Sequence, residues 1–202
     1  MSKKITIVLV DDHAVVRAGV KRLLEQESIF EVVGEADSGE TGYQIFGELN
    51  PDLMVMDLSM PGMGGLEAIR RILMRYEKAK ILVLSMHEDL SFANQALKLG
   101  AKGYLIKNAL GDDLVKSIQA IAKGEIFLSD EIAKKIAMQS FSGDRDLIDD
   151  LSAREFEIFR LLAEGFEIEA IASTLNISTK TVSNYQTVIK QKLNINTPIE
   201  LI

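Results

Sequence analysis

Five residues whose types can do chemistry stand where short apolar, β-branched runs end. Asp11 and Asp12 follow the run Ile5–Val10, Asp57 follows Leu53–Met56, Ser85 closes Ile81–Ser85, and Lys107 follows Gly103–Ile106. If these runs are neighbouring parallel strands, all five side chains share one rim of a sheet. Carboxylates crowded together oppose one another's ionisation unless a cation screens them, and two or three carboxylates with waters are a common way to hold Mg2+. A carboxylate can also attack phosphorus and become an aspartyl phosphate, with a metal and an ammonium neutralising the developing charge. Asp57 is the central candidate for that role. Acids after strands also serve as plain helix N-caps. That reading covers Asp12, but it leaves Asp11 beside it unexplained, together with an acid, a hydroxyl and an amine at three further strand ends. Lys107 taken singly reads as a solvated lysine. His13 and His87 fall near the same rim, but two histidines far apart in sequence make a poor metal pair, so both read as helix-start or rim residues.

The elements that must position these residues are legible as alternation. Through about residue 123, short β-branched runs at 5–10, 31–36, 53–56, 81–85 and 103–106 alternate with segments of helical period at about 14–26, 39–49, 65–75, 90–98 and 111–122. Five βα units predict a doubly wound α/β domain over 1–123, with ligands at the carboxyl ends of its strands. Ser38 and Asp89 are plausible N-caps and Gly100 a helix stop. Met54 and Met56 fall on one strand and belong to the core. After Gly124 the strand signal stops. A short connecting helix fits 129–138, and the polar, acidic stretch SFSGDRDLIDD at 140–150 places the boundary, so that 124–150 is connection and 151–202 a second, smaller all-α domain. Its helices read 153–164, 167–175 and 179–193. A last one opens at Thr197-Pro198-Ile199-Glu200 and stops after about five residues, as a trimmed or a minimal fourth helix.

Composition narrows the classes. The chain has 202 residues, 47% hydrophobic, three prolines and no cysteine, which disfavours disorder and excludes disulfides, thiolate catalysis and zinc thiolate sites. No run approaches membrane-spanning length and the N-terminal apolar run is too short for a signal peptide, so a cytoplasmic protein without a membrane partner is expected. The net charge of −7 argues at first against nucleic acid, but Ala170 to Ile199 contains three lysines and no acid.

In that basic strip two apolar stripes meet at the break TLNIS. Asn176 can take the left-handed conformation that ends a helix, Ile177 can pack inward and Ser178 can cap the next helix. A helix-turn-helix follows, whose second helix can lie in a DNA major groove. Its outward face carries Lys180, Ser183, Asn184, Thr187, Lys190 and Gln191, with Thr181 beside them at the helix start. Lysines and N-terminal amides suit phosphates, and Asn184 suits a base edge. The same turn also occurs in ordinary small helical bundles.

Two resemblances sharpen these readings. The segments VLVDDH (8–13), PDLMVMDLSMPGMGG (51–65), ILVLS (81–85) and AKGYLIK (101–107) resemble the receiver domain of two-component response regulators over about 120 residues. The resemblance implies a flavodoxin-like sheet of order 2-1-3-4-5, with Asp57 taking a phosphoryl group from a sensor histidine kinase. It further implies Mg2+ held by Asp11, Asp12, Asp57 and the Ser59 carbonyl, Ser85 and Lys107 on the phosphoryl oxygens, and Tyr104 swinging inward as Ser85 moves. Asn108 stands where the family often has proline. Residues 151–193 resemble the LuxR-type domain of the NarL/FixJ regulators through Ser152, Glu155, EG (164–165), IA (171–172), L-x-I-S (175–178) and KTV (180–182). That family often has basic residues at the positions of Ser183 and Thr187 and a histidine at Tyr185. Neutral residues there imply weaker, less salt-sensitive binding to double-stranded DNA, by about one unit of slope per lost phosphate contact, and hence reliance on a homodimer formed on phosphorylation or on DNA.

The resulting expectation is a transcriptional regulator that is not an enzyme. A phosphohydrolase with an aspartyl nucleophile would want a second Asp at position 59, where Ser59 stands, and a dinucleotide-binding reading lacks GxGxxG after the first strand. A receiver that serves only for dimerisation, without phosphorylation, is the third reading.

Overall fold

The computed structural model describes residues 3–109, 111–142 and 147–195. Its first half is built as the alternation predicts: β1 (Ile5–Val10), α1 (Ala14–Glu25), β2 (Phe30–Ala36), α2 (Gly39–Leu49), β3 (Leu53–Met56), α3 (Gly65–Arg75), β4 (Ile81–Ser85), α4 (Leu90–Leu99), β5 (Gly103–Ile106) and α5 (Asp112–Lys123). The strand pairs are all parallel and the order is β2-β1-β3-β4-β5, with β6 (Phe127–Leu128) beside β5.

Strand periodicity of two sorts the core into two faces. Ile7, Leu9, Leu53, Val55, Leu82, Leu84 and Leu105 meet α1 and α5, through Val20, Leu24, Leu114 and Ile118. Val8, Val10, Met54, Met56, Ile81 and Val83 point the other way, toward α2, α3 and α4. Both faces are covered, which is why these strands are continuous apolar runs instead of alternating ones. Met54 and Met56 are fully buried in that core. The expected caps form: Ser38 accepts from the Thr41 amide, Asp89 from the Ser91 amide, and Gly100 ends α4 at φ 107°.

One element departs from the expectation of five strands. Phe127–Leu128 forms β6, paired in parallel with Gly103 and Tyr104 of β5. Two residues are too few to show a period, so only the pairing partner reveals the strand. It covers the open edge of β5, an edge that would otherwise offer unpaired amides and carbonyls. The connecting helix, α6 (Asp130–Ser142), is longer than read from sequence; it lies on α4, where Asn94 Nδ2 donates to Gln139 Oε1 at 3.1 Å and Lys135 Nζ to the Glu88 carbonyl at 2.7 Å.

After a 3-10 turn at Leu147–Asp150 come α7 (Ala153–Ala163), α8 (Ile168–Thr174) and α9 (Thr179–Leu193). A capping box opens α7, with Ser152 accepting from the Glu155 amide and Glu155 from the Ser152 amide. Asn176 takes φ 52° between α8 and α9, and Ser178 caps α9 by accepting from the Thr181 amide. Ile171, Leu175, Val182, Ile189 and Leu193 join Phe156 and Leu161 in the core of this domain. The expected helix at 197–200 lies outside the described residues. No described helix is long and apolar enough to cross a membrane.

Candidate phosphoacceptor rim and nucleic-acid interface

Parallel strands set all five expected residues at one end of the sheet, and four of them converge tightly. Lys107 Nζ lies 2.7 Å from Asp11 Oδ2 and 3.0 Å from Asp57 Oδ2, bridging the two carboxylates. The other Asp57 oxygen accepts from the Leu58 amide at 2.8 Å. Ligand atoms of Asp11, Asp12, His13 and Asp57 all lie within 4.8 Å of one another. His13 Nδ1 stands 2.8 Å from Asp12 Oδ1, so this histidine joins the acidic rim at the start of α1. The loop after Asp57 folds back so closely that a Cβ on Gly65 would lie 2.0 Å from the Asp57 carbonyl oxygen.

Burial of the Asp57 carboxyl is the largest influence on it and pushes it above the ordinary carboxylate range, an effect the Lys107 ammonium only partly offsets. For Lys107, burial works to lower the pKa, but hydrogen bonds and charge from Asp11 and Asp57 outweigh it and hold the amine above the usual lysine value. The rim is thus a desolvated anionic pocket with one built-in cation. The donor set fits a hard divalent cation: three carboxylates within reach of one point, with the buried Asp12 Oδ1 met only by the His13 ring.

Ser85 is fully buried next to this pocket, and its Oγ accepts from the His87 amide at 3.1 Å. Tyr104, expected to swing inward, already points in: it is fully buried and its hydroxyl donates to the His87 carbonyl at 2.8 Å. Burial raises its phenol well above the usual range, so it acts here only as a neutral hydrogen-bonding group. Ser59 donates to or accepts from His87 Nε2 at 2.7 Å. The Lys107–Asn108 bond is trans.

On α9, Lys180, Ser183, Asn184, Thr187 and Gln191 are exposed, and Lys190 is half-buried. The Ser183 and Thr187 hydroxyls donate back to the carbonyls of Thr179 and Ser183, which leaves one lone-pair face of each outward. Thr181 sits apart from this group: it is half-buried on the flank turned toward α3, with Tyr185, across a cavity of about 490 Å3.

Comparison with known proteins agrees with both halves. The response regulator receiver domain model matches residues 7–119, and the model for bacterial regulatory proteins of the luxR family matches residues 149–202. The chain is a NarL/FixJ-family response regulator. It is 36% identical to response regulator GacA of Pseudomonas aeruginosa, covering 98% of this chain and 93% of that one. It is 35% identical to transcriptional regulatory protein DegU of Brevibacillus brevis, over 96% and 89%. Among solved structures it resembles RcsB of Salmonella enterica serovar Typhimurium bound to promoter rprA in the presence of phosphomimetic BeF3−, with a TM-score of 0.73, 29% identity and coverage of 98% and 96%.

The two domains of this response regulator are docked. The Gly62 amide donates to the Thr174 carbonyl at 2.7 Å, and Arg154, held to the Leu175 carbonyl of its own domain at 2.7 Å, donates across to the Gly62 carbonyl at 3.3 Å. Phe92 of α4 meets Phe156 of α7 edge-on, with centroids 4.9 Å apart. Gln95 Nε2 donates to the Ile148 and Leu151 carbonyls. The loop bearing Asp57 is therefore itself the seat of the helix-turn-helix domain. Sequence reading did not find this seat. Its most unusual member, Glu157, looks like any acid on an amphipathic helix, yet it is buried against Gly64 at the start of α3, where a Cβ would lie 2.2 Å from its Oε1.

Burial raises the Glu157 pKa above the carboxylate norm; Arg154, 2.9 Å away, offsets part of this and the charge of Glu67 adds to it. An acid whose docked pKa exceeds its free value takes up a proton on docking, so docking is favoured below the free carboxylate pKa and loses that contribution as pH rises through the raised value. Titrating the inter-domain distance should show docking tightening with acid in the native protein, and that slope should vanish in Glu157→Gln.

Proposed function

We propose that Asp57 is the phosphoacceptor and that its phosphorylation by a sensor histidine kinase controls DNA binding by α9. What supports this reading above all is Lys107 bridging Asp11 and Asp57 within a cluster of carboxylates. An Asp57 oxygen attacks the phosphorus of a phosphohistidine; the new P–O bond forms as the P–N bond breaks, and the imidazole leaves with its electron pair. Lys107 holds the nucleophile and neutralises charge that builds on the transferred group, and Ser85, brought to the rim by β4, supplies a hydroxyl to its oxygens. Asp11, Asp12 and Asp57, with the Ser59 carbonyl, would hold Mg2+, which supplies further charge neutralisation when bound. Position 59 carries a hydroxyl side chain and not the second carboxylate that a turning-over aspartyl phosphohydrolase would use as acid and base, which favours a regulator over an enzyme. The working division is receiver 1–123, connection 124–150 and DNA-binding domain 151–202, in a cytoplasmic protein that acts as a homodimer when phosphorylated or DNA-bound.

Intact mass after exposure to a small phosphodonor with Mg2+ tests the reading: one phosphoryl group should be added, and the modified form should bind DNA more tightly. An unmodified chain, or equal affinity of both forms, would refute it.

Lys180, Ser183, Asn184, Thr187 and Lys190 are the proposed DNA contacts, with Thr181, which faces α3 while the domains are docked, joining them once the output domain is released. Lys180→Ala should weaken binding to all sequences alike and lower the slope of log affinity against log salt by about one unit. A salt series on specific and scrambled duplexes measures this, and an unchanged slope would remove Lys180 from the phosphate contacts.

A further inference from the structure

The loop after Asp57 meets α7 directly at Gly62 and Gly64, and a second route from the acidic rim to α7, by way of Ser85 and Tyr104, runs through one residue. The His87 backbone amide donates to Ser85 Oγ at 3.1 Å, its carbonyl accepts from the Tyr104 hydroxyl at 2.8 Å, and its ring Nε2 shares a hydrogen bond with Ser59 Oγ at 2.7 Å. The same ring lies flat on Phe92, with centroids 3.8 Å apart and planes 3° from parallel. Phe92 in turn stands edge-on to Phe156, which is 2% exposed in the core of the helix-turn-helix domain. Ser85 and Tyr104 are both fully buried, and His87 is hydrogen-bonded to each of them while its ring stacks on Phe92.

We propose that His87 is the positioning residue that carries the phosphorylation state of Asp57 to the docked helix α7. The inference rests on Asp57 being the acceptor. A Ser85 hydroxyl that reorients toward a phosphoryl oxygen either draws the His87 amide with it or releases it, and His87 shifts in both cases. Ser59 stands two residues after Asp57, so a rearranged loop pulls on the imidazole as well. A tilted or withdrawn imidazole no longer supports the face of Phe92. An aromatic pair of this kind is worth about a two- to tenfold bias in an equilibrium, and here the equilibrium is docked against released. The ring thus holds the output domain in place through Phe92 and Phe156 while it is tied to Ser59 and Ser85, and loosens its hold when those ties change.

The test uses the full chain. It has no cysteine, so a donor and an acceptor dye can be placed at Glu77→Cys and Glu169→Cys, both exposed and in different domains. Inter-dye distance is measured with and without beryllofluoride and Mg2+, and occupancy is followed by 19F NMR. The otherwise unchanged protein should lengthen on beryllofluoride. His87→Ala should be lengthened beforehand, with its docked-to-released ratio lowered about two- to tenfold and its further response to beryllofluoride reduced. His87→Phe keeps a ring for Phe92 but loses the bond to Ser59; it should stay docked at rest and respond less. If both variants bind beryllofluoride and match the parent distances in both states, the relay through His87 is wrong. If the parent itself shows no bound beryllofluoride, the Asp57 reading falls, and the proposal falls with it.

Discussion

Asp57→Asn is expected to abolish phosphoryl uptake and, with it, any phosphodonor-dependent gain in DNA affinity, while leaving the protein folded. An amide has no anionic oxygen to attack phosphorus, and no neighbour can substitute: Asp11 is committed to Lys107, and its Oδ1 accepts from the His13 amide. Because burial holds the Asp57 carboxyl above its ordinary range, the native state bears a cost for ionising it, and the isosteric amide relieves that cost. Thermal stability should therefore be equal or higher at neutral pH. Intact mass with a phosphodonor, a DNA titration and a melting curve on one preparation separate these effects. Phosphodonor-dependent affinity persisting in Asp57→Asn would end the proposal that this aspartate is the switch.

Gly64→Ala should release the helix-turn-helix domain without phosphate. Gly64 has φ −60° and ψ 165°, an ordinary extended conformation, so alanine meets no backbone strain. The loss of a glycine N-cap and the smaller entropy of the unfolded chain roughly offset each other, at about 0.5–1 kcal/mol each. What remains is steric: the new methyl would lie 2.2 Å from Glu157 Oε1. Because the Glu157 carboxylate is buried and ion-paired to Arg154 at 2.9 Å, it cannot swing freely aside, and overpacking of this kind costs about 1–3 kcal/mol, enough to move a docked-to-released ratio by roughly five- to 150-fold. Inter-domain distance by paired labels, or the radius of gyration in solution, reads the change. Adding Glu157→Ala should restore docking by making room for the methyl. A Gly64→Ala protein as compact as the parent would show that this contact does not hold the domains together.

Much of the rim could be read from spacing alone. A parallel βα repeat delivers the residue after each strand to the same edge, so Asp11, Asp57, Ser85 and Lys107 had to become neighbours once the strands were identified. The turn of the second domain was legible for a similar reason: Asn176 and Ser178 act on backbone groups within three residues, and such local chemistry is visible in local sequence. The inward pose of Tyr104 was not legible, because it depends on a carbonyl contributed by another strand's loop. Nor was Thr181's turn toward α3, since a helix face is assigned to solvent or to DNA only when its neighbours are known.

The sequence by itself determined most of the elements and the set of reactive groups at the sheet's edge, because periodicity and caps are properties of short stretches of chain, while the order of the first five strands came from the resemblance to receiver domains. Tertiary structure alone decided that a two-residue strand closes the sheet, that Glu157 is buried against Gly64, and that His87 touches both the switch residues and the aromatic pair leading to α7. These outcomes depend on surfaces brought together from residues tens of positions apart. Residue type carries little information about them: a histidine or glutamate on an exposed face and one in a domain seat look the same until the opposing surface is in place.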